Sequence, residues 1–344
     1  MTSEDDLPEC CGSGCTNCVL DRKTKFRKLP SSRTSILDGG AYKPFLCTNI
    51  SQCSFNTFRF RFQHQPSLVE STDAAGNELH ISPGSHLMLR APRDWRQTNR
   101  PTNELFMPWR AQSMEKARVQ NGGIGAKKSA EKYDQSERDL YFSRPYTPIR
   151  VDSNACEFEV LIRLEVCGEM SEYLQTLHAG DVMEWKGTYT GFLWERNARK
   201  SLLCFAQGVG LAPIYSILAA ILDDEEDETR LKLVYCCRDI EGILMRDELL
   251  KMGAFWNFEA AVYLSRKVCS CDGKTTRRCS CLSSKIKYSE RIFNHRLEKI
   301  DIENLLHRSG QQDSVQVLIC GTECFTKLVE NCLTRLNVRN VYKF

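Results

Sequence analysis

The 344-residue chain lacks a strong charge of either sign, a long unbroken apolar run and a recognisable leader, and each absence excludes a class of protein. Its net charge is +3 with 26% charged residues, which gives no electrostatic case for a nucleic acid or an anionic membrane as partner. The opening MTSEDDLPECC has neither a basic n-region nor an apolar h-region, and no Met-Gly start for myristoylation. This predicts an intracellular, cytoplasmic or organelle-associated protein without a transmembrane anchor. The most apolar window, SLLCFAQGVGLAPIYSILAAIL, is broken by Gly208, Gly210 and Pro213, so it reads as strand, turn and helix rather than a membrane span. The dinucleotide fingerprint G-x-G-x-x-G is also missing, because Pro213 stands where its third glycine would be. Cysteine is abundant instead: 18 residues in a chain without a leader imply reduced thiols or metal sites rather than a disulfide framework.

The length suits about two domains, and the hydrophobic rhythm changes once. From residue 41 to 196 the chain is β-rich. In FNTFRFRFQ, Phe58, Phe60 and Phe62 fall on one face and Arg59 and Arg61 on the other; FEVLIRLEV likewise places Phe158, Val160, Ile162, Leu164 and Val166 together. YKPFLCTNI, SHLMLR, the stretch around RPYTPI and DVMEWKG complete an antiparallel six-stranded β-barrel with one helix near 171–178. From 197 to 344 strands and helices alternate, which predicts an α/β domain with a parallel sheet. Three stretches fall outside this plan: a Cys-rich segment over 1–40, a polar insertion over 91–140 read as disordered, and a Cys-rich insertion over 265–290. The acidic run at 223–228 reads as a solvated loop.

Four motifs carry chemistry. RPYTPI (Arg144 to Ile149) puts two prolines, a guanidinium, a ring and a hydroxyl directly before a strand. In GEMSEYL, Ser171 reads as the N-cap of a helix, with Gly168 before it. QGVGLAP turns from strand into helix, with Pro213 at the first helical position. VQVLICGTECF ends a strand at Cys320-Gly321, where sheet ligands bind. Taken singly, each is also compatible with an ordinary edge strand, capped helix, strand-to-helix turn or buried cysteine.

Their order is more specific. An RxYT strand, a GxMSxYL helix start, a GxGxxP turn, a strand-final CG, ILMRDEL and a terminal Phe344 together resemble the ferredoxin reductase-like flavoenzymes. Within them the chain resembles the cytochrome b5 reductases, over roughly residues 41–344. The resemblance implies an FAD-dependent reductase that takes hydride from NADH, with NADPH left open, and passes single electrons to a haem protein such as cytochrome b5. It places Arg144, Pro145, Tyr146 and Thr147 along FAD, with the guanidinium fork on the pyrophosphate and the ring on the flavin. It adds Gly168, Met170 and Ser171 to the phosphate cradle. Gly208, Gly210 and Pro213 would border the nicotinamide nucleotide, with Cys320 and Gly321 beside the nicotinamide and Phe344 closing the site. No side chain need act as acid or base.

The chain departs from the family pattern at several points. Val209 and Ala212 stand where the family's GTGxTP turn has threonines, and CGPPxM becomes Cys320-Gly321-Thr322-Glu323-Cys324-Phe325. Gly242 replaces an acidic residue associated with NADH preference, with Arg238, Asp239 and Glu241 nearby. These changes leave two alternatives: a non-catalytic metal- or partner-binding protein on a decayed reductase fold, or a flavin reductase with a different acceptor. The front end PECCGSGCTNCV resembles an oxidoreductase-like N-terminal module, and Cys10, Cys11, Cys15 and Cys18 have spacing compatible with zinc or an iron-sulfur cluster, or with free thiols. Cys269, Cys271, Cys279 and Cys281 pose the same choice.

Overall fold

The computed structural model describes residues 35–37, 40–65, 78–98, 100–110, 140–189, 191–266, 284–307 and 314–344. The first sheet comprises β1 (Lys43–Ser54), β2 (Thr57–His64), β3 (His86–Pro92), β4 (Tyr141–Tyr146), β5 (Pro148–Asp152), β6 (Glu157–Arg163) and β7 (Val182–Tyr189), all antiparallel, in the order β4-β3-β7-β1-β2-β6-β5. It has seven strands rather than six because RPYTPI divides at Thr147 into β4 and β5. Those two strands lie at opposite ends of the order yet are joined through one residue, so the sheet must curl round to bring its edges together. Phe58, Phe60, Phe62, Phe158, Val160 and Ile162 fill its interior with Trp185, each less than 2% exposed. Val166 lies beyond the end of β6 and is exposed, since the strand stops at Arg163. A short helix, α1 (Glu169–Leu174), lies between β6 and β7.

The second sheet is parallel, in the order β11-β10-β9-β8-β12-β13. Its strands are β8 (Ser201–Gln207), β9 (Arg230–Cys237), β10 (Phe258–Leu264), β11 (Ile292–Phe293), β12 (Val315–Cys320) and β13 (Val341–Lys343). Helices α2 (Leu211–Leu222), α3 (Arg246–Met252), α4 (Lys299–His307) and α5 (Glu323–Arg335) connect them, and one apolar cluster lies on each face of the sheet. No helix among the described residues is long and apolar enough to cross a membrane.

Three sequence expectations need correction. Residues 91–110 are not a disordered insertion: β3 runs to Pro92, and Trp95, Phe106 and Trp109 are buried in the barrel core, with Phe106 edge-on to Phe58 at 4.7 Å. The remainder of the predicted insertion, 111–139, lies outside the described residues. The N-terminal segment is not wholly separate from the barrel, because Ile36 and Leu37 are buried in its core beside a bridge from Ser35 to Glu78. The acidic run is tied down: Asp227 is 5% exposed and accepts from Trp194 Nε1 at 2.7 Å and Thr229 Oγ1 at 2.6 Å, while Arg196 pairs with Asp224 and Glu226.

The two sheets share core. Ile149 of β5 and Leu161 of β6 point away from the barrel interior and belong to the cluster containing Ile214, Ile217, Leu218 and Ile221 of α2. Burying each such side chain is worth about 1.5–3 kcal/mol. Gly84, in a turn with φ +77°, donates its N–H to Ser216 Oγ at 2.8 Å, and a Cβ there would stand 2.8 Å from Ile217 Cδ1. That close approach and positive φ both require glycine.

Candidate functional site

On β4, Arg144 pairs with Leu89 and Tyr146 with Leu87, which places Arg144 and Tyr146 on one face and Pro145 on the exposed opposite face. Arg144 is half-buried, and its Nη1 donates to the Ser143 carbonyl at 2.7 Å; no carboxylate pairs with it among the described residues. The Tyr146 ring meets Trp185 edge-on with centroids 6.1 Å apart. Burial pushes its hydroxyl pKa well above the ordinary value, with the nearby Arg144 charge opposing, so Tyr146 stays neutral. Thr147 is half-buried at the join with β5. The stiffness of RPYTPI is thus explained at both ends: β4 presents Arg144 and Tyr146, while Ile149 anchors β5 on α2.

The second element is the start of α1. Its N-cap is Gly168, not Ser171 as the sequence suggested. Ser171 lies in the first turn, and its Oγ accepts the Glu165 N–H at 2.9 Å. Met170 and Ser171 are buried, so what this helix start offers outward is backbone N–H. The segment misread as an insertion holds it in place. Arg96 pairs with Glu172 at 2.7 Å, Trp95 packs edge-on to Tyr173, and Asn103 donates through its backbone N to Gln175 O and its Nδ2 to Leu177 O. Sequence reasoning missed these supports because their spacing has no strand or helix period.

The third element brings the strand ends of the parallel sheet together. Gly208 has φ +56° and its carbonyl accepts from the buried Tyr235 hydroxyl at 3.3 Å. A Cβ on Gly210 would lie 2.6 Å from the Cys320 carbonyl oxygen, and one on Gly321 would lie 2.6 Å from Phe325 Cδ1. Glycine is what lets QGVG and CGT touch. Pro213 is the third residue of α2 rather than the first, still within the turn where no intrahelical N–H is lost. The Phe344 N–H donates to Ile319 O at 3.0 Å, extending the β13 edge, and its ring meets Phe192 and Tyr342 on the side that faces Gly84.

The departures have structural answers. Val209 packs against the α2 core and Ala212 is 4% exposed within it. Glu323 is paired with Lys327, which holds its carboxyl below the usual range and offsets the charge that could repel an anionic nucleotide. In the loop after β9, Glu241 is similarly paired, with Lys285 from the segment before β11 at 2.9 Å, whereas exposed Arg238 reaches Asp239 only at 3.8 Å. Cys10, Cys11, Cys15, Cys18, Cys269, Cys271, Cys279 and Cys281 lie outside the described residues. Among those described, no cluster of three or more His, Cys, Asp or Glu is placed to hold a metal.

Comparison with known proteins agrees with this architecture. Residues 134–194 match the oxidoreductase FAD-binding domain family and 205–331 the oxidoreductase NAD-binding domain family. The human NADH-cytochrome b5 reductase-like protein is 28% identical over 348 residues, covering 96% of this chain and 89% of its own length. The mouse protein of the same name is 29% identical over 278 residues, 77% and 73% of the two chains. The cytochrome b5 reductase domain of Ulva prolifera nitrate reductase superposes with a TM-score of 0.59 at 17% identity, covering 90% of this chain and all of that one. An antiparallel barrel matching an FAD-binding domain, packed on a parallel sheet matching an NAD-binding domain, defines an FAD- and NAD-binding oxidoreductase with the ferredoxin reductase-like fold. Within that class, the chain is similar to the NADH-cytochrome b5 reductase-like proteins and carries both an FAD-binding and an NAD-binding oxidoreductase domain.

Proposed function

We propose that the protein is an NADH-dependent FAD reductase that delivers electrons singly to a haem protein such as cytochrome b5. The observation that carries this reading is Arg144: a half-buried guanidinium without a carboxylate partner among the described residues, on the same strand face as the ring of Tyr146. A fork of donors beside an aromatic face suits a molecule that joins a pyrophosphate to a flat ring. Arg144 would bind the pyrophosphate of FAD together with the backbone N–H groups after Gly168, while Tyr146 and Thr147 would orient the flavin. Pro145 and Pro148 keep this stretch extended. The β8 and β12 ends, Gly208 to Pro213 and Cys320-Gly321, would receive the nicotinamide nucleotide, with Phe344 excluding water at the edge. When bound, FAD supplies the two-electron to one-electron conversion that no side chain can perform. The domain division at residues 196/197 follows from this assignment. The haem-protein acceptor is supported by the names of the relatives, which include cytochrome b5 reductases of several organisms. The test is direct: the purified protein should be yellow and should bleach with NADH without oxygen. A colourless, folded protein that takes up no FAD would establish the decayed-fold alternative, and a bleached protein unable to reduce cytochrome b5 would establish a different acceptor.

A further inference from the structure

Gln207 is the last residue of β8 and Thr322 precedes α5, 115 residues later. Thr322 occupies the N-cap of α5, where a threonine hydroxyl ordinarily accepts an N–H from the first turn of its own helix. It makes no such bond. Its hydroxyl instead donates to Gln207 Oε1 at 2.7 Å, and its backbone N–H donates to the same oxygen at 3.1 Å. Neither bond serves α5. Both join the ends of β8 and β12, and the surrounding chain is packed to match: a Cβ on Gly321 would stand 2.9 Å from Gln207 Cβ, and one on Gly210 would stand 3.0 Å from Cys320 Sγ.

The family pattern resembled by this chain has proline where Thr322 stands. Proline carries no N–H and fixes φ near −65°. Thr322 has φ −65° and ψ 157°, the backbone a proline would impose, but with a donor left over that Gln207 accepts. We propose that Gln207 is a positioning residue for the nicotinamide nucleotide. Its Oε1 holds Thr322, and through it Cys320-Gly321, against the Gly208–Gly210 turn, achieving with two hydrogen bonds what the proline achieves by ring closure. This rests on the assignment of the two strand ends to the nucleotide, and it names a residue and a mechanism of rigidity that the assignment does not contain.

The proposal makes the effect of Gln207 conditional on residue 322. Gln207→Leu removes the acceptor at similar size, and the loss of two exposed hydrogen bonds, each at the low end of the usual range, corresponds to about a fivefold fall in kcat/KM for NADH. In a Thr322→Pro background, where no donor remains, the same change should alter kcat/KM less than twofold; in a Thr322→Ser background, which keeps both donors, the full loss should return. NADH affinity of the oxidised protein, flavin content and Tm are measured for each variant, because a purely structural defect would lower Tm and flavin content with the nucleotide terms. An equal loss in all three backgrounds, or no loss in the wild type, overturns the proposal while leaving the NADH reductase reading intact. A wild-type protein that binds FAD but neither binds nor is reduced by NADH overturns both.

Discussion

Arg59 offers the most quantitative test of how the two sheets are held together. It lies on β2, on the outer face between Phe58 and Phe60, and its Nη2 donates to Glu248 Oε1 on α3 at 2.8 Å and to Met245 Sδ at 2.9 Å. Its Nη1 lies 3.7 Å from Glu159 Oε2, and Glu159 also accepts from Arg61 at 2.6 Å. Met245 has φ +55°, a left-handed conformation that costs a residue with a Cβ of order 1 kcal/mol and persists only where its surroundings impose it. Removing one member of a fully buried pair costs about 3–5 kcal/mol, but two features reduce that here. Glu159, 4% exposed in its side chain, keeps Arg61 when Arg59 is lost, and Glu248, 29% exposed, can be rehydrated. We therefore expect Arg59→Leu to cost about 2 kcal/mol and Glu248→Gln about 1 kcal/mol, with a coupling of about 1 kcal/mol between them.

The assay is urea unfolding of the two single variants and the double variant, with anaerobic NADH bleaching measured on each. Because the pair joins the barrel to α3 and not to the nucleotide, the single variants should slow bleaching with little change in NADH affinity. Additive stability losses, with coupling below about 0.3 kcal/mol, would refute the claim that Arg59 and Glu248 act as one contact.

Arg144→Ala should lower FAD retention on desalting by about a hundredfold in affinity, the loss of a charge-assisted phosphate contact; full flavin content would rule out its assigned role. His86, stacked on Tyr189, has its pKa pushed down by burial from 6.5 to about 4. The unfolded chain binds that proton first, so stability should fall as pH drops from about 6.5 to 4, by up to roughly 3 kcal/mol, and His86→Phe should remove that component from acid urea melts. An identical acid slope in both proteins would contradict it. Gly242→Asp should reduce NADPH kcat/KM about tenfold relative to NADH, since a Cβ at Gly242 already stands 3.1 Å from Asp239 Oδ1 and a second carboxylate there would repel a 2′-phosphate; an unchanged donor ratio would place ribose recognition elsewhere.

What the sequence revealed depended on period. Phe58, Phe60 and Phe62 alternate because one face of β2 is buried and the other carries Arg59 and Arg61, so the strand and its inward face were both readable. β6 was readable only in part: Leu161 and Glu159 on its outer face are buried too, because α2 and the arginines cover it, and a strand covered on both sides loses its alternation. Trp95 and Phe106 were lost among polar neighbours, since short 3₁₀ turns bury single aromatics at irregular intervals, and Trp109 follows directly after the second of them. β11 and β13, of two and three residues, are too short to show any pattern. RPYTPI and QGVGLAP stood out because proline and glycine restrict the backbone locally. The Gln207–Thr322 contact spans 115 residues and leaves no local trace.

The same distinction bears on whether the site is retained or decayed. Gly210 and Gly321 need no ligand to explain them: any side chain at either would collide with Cys320 or Phe325, so folding alone requires both. Gly208 is nearly as uninformative, since its φ of +56° is a demand of the turn. Arg144 is different. A half-buried guanidinium loses hydration and, among the described residues, gains here only the carbonyl of its own neighbour, Ser143, whereas Arg59, Arg61, Arg90 and Arg246 each meet a carboxylate. Folding by itself would favour an apolar residue at that place on β4, because partial burial of an unpaired charge is unfavourable. A bound anion reverses the sign of that term, since the guanidinium fork is then paired in a region of reduced dielectric where the contact is strongest. The position of Arg144 therefore supports the proposed phosphate-bearing ligand better than it supports a role in the stability of the barrel.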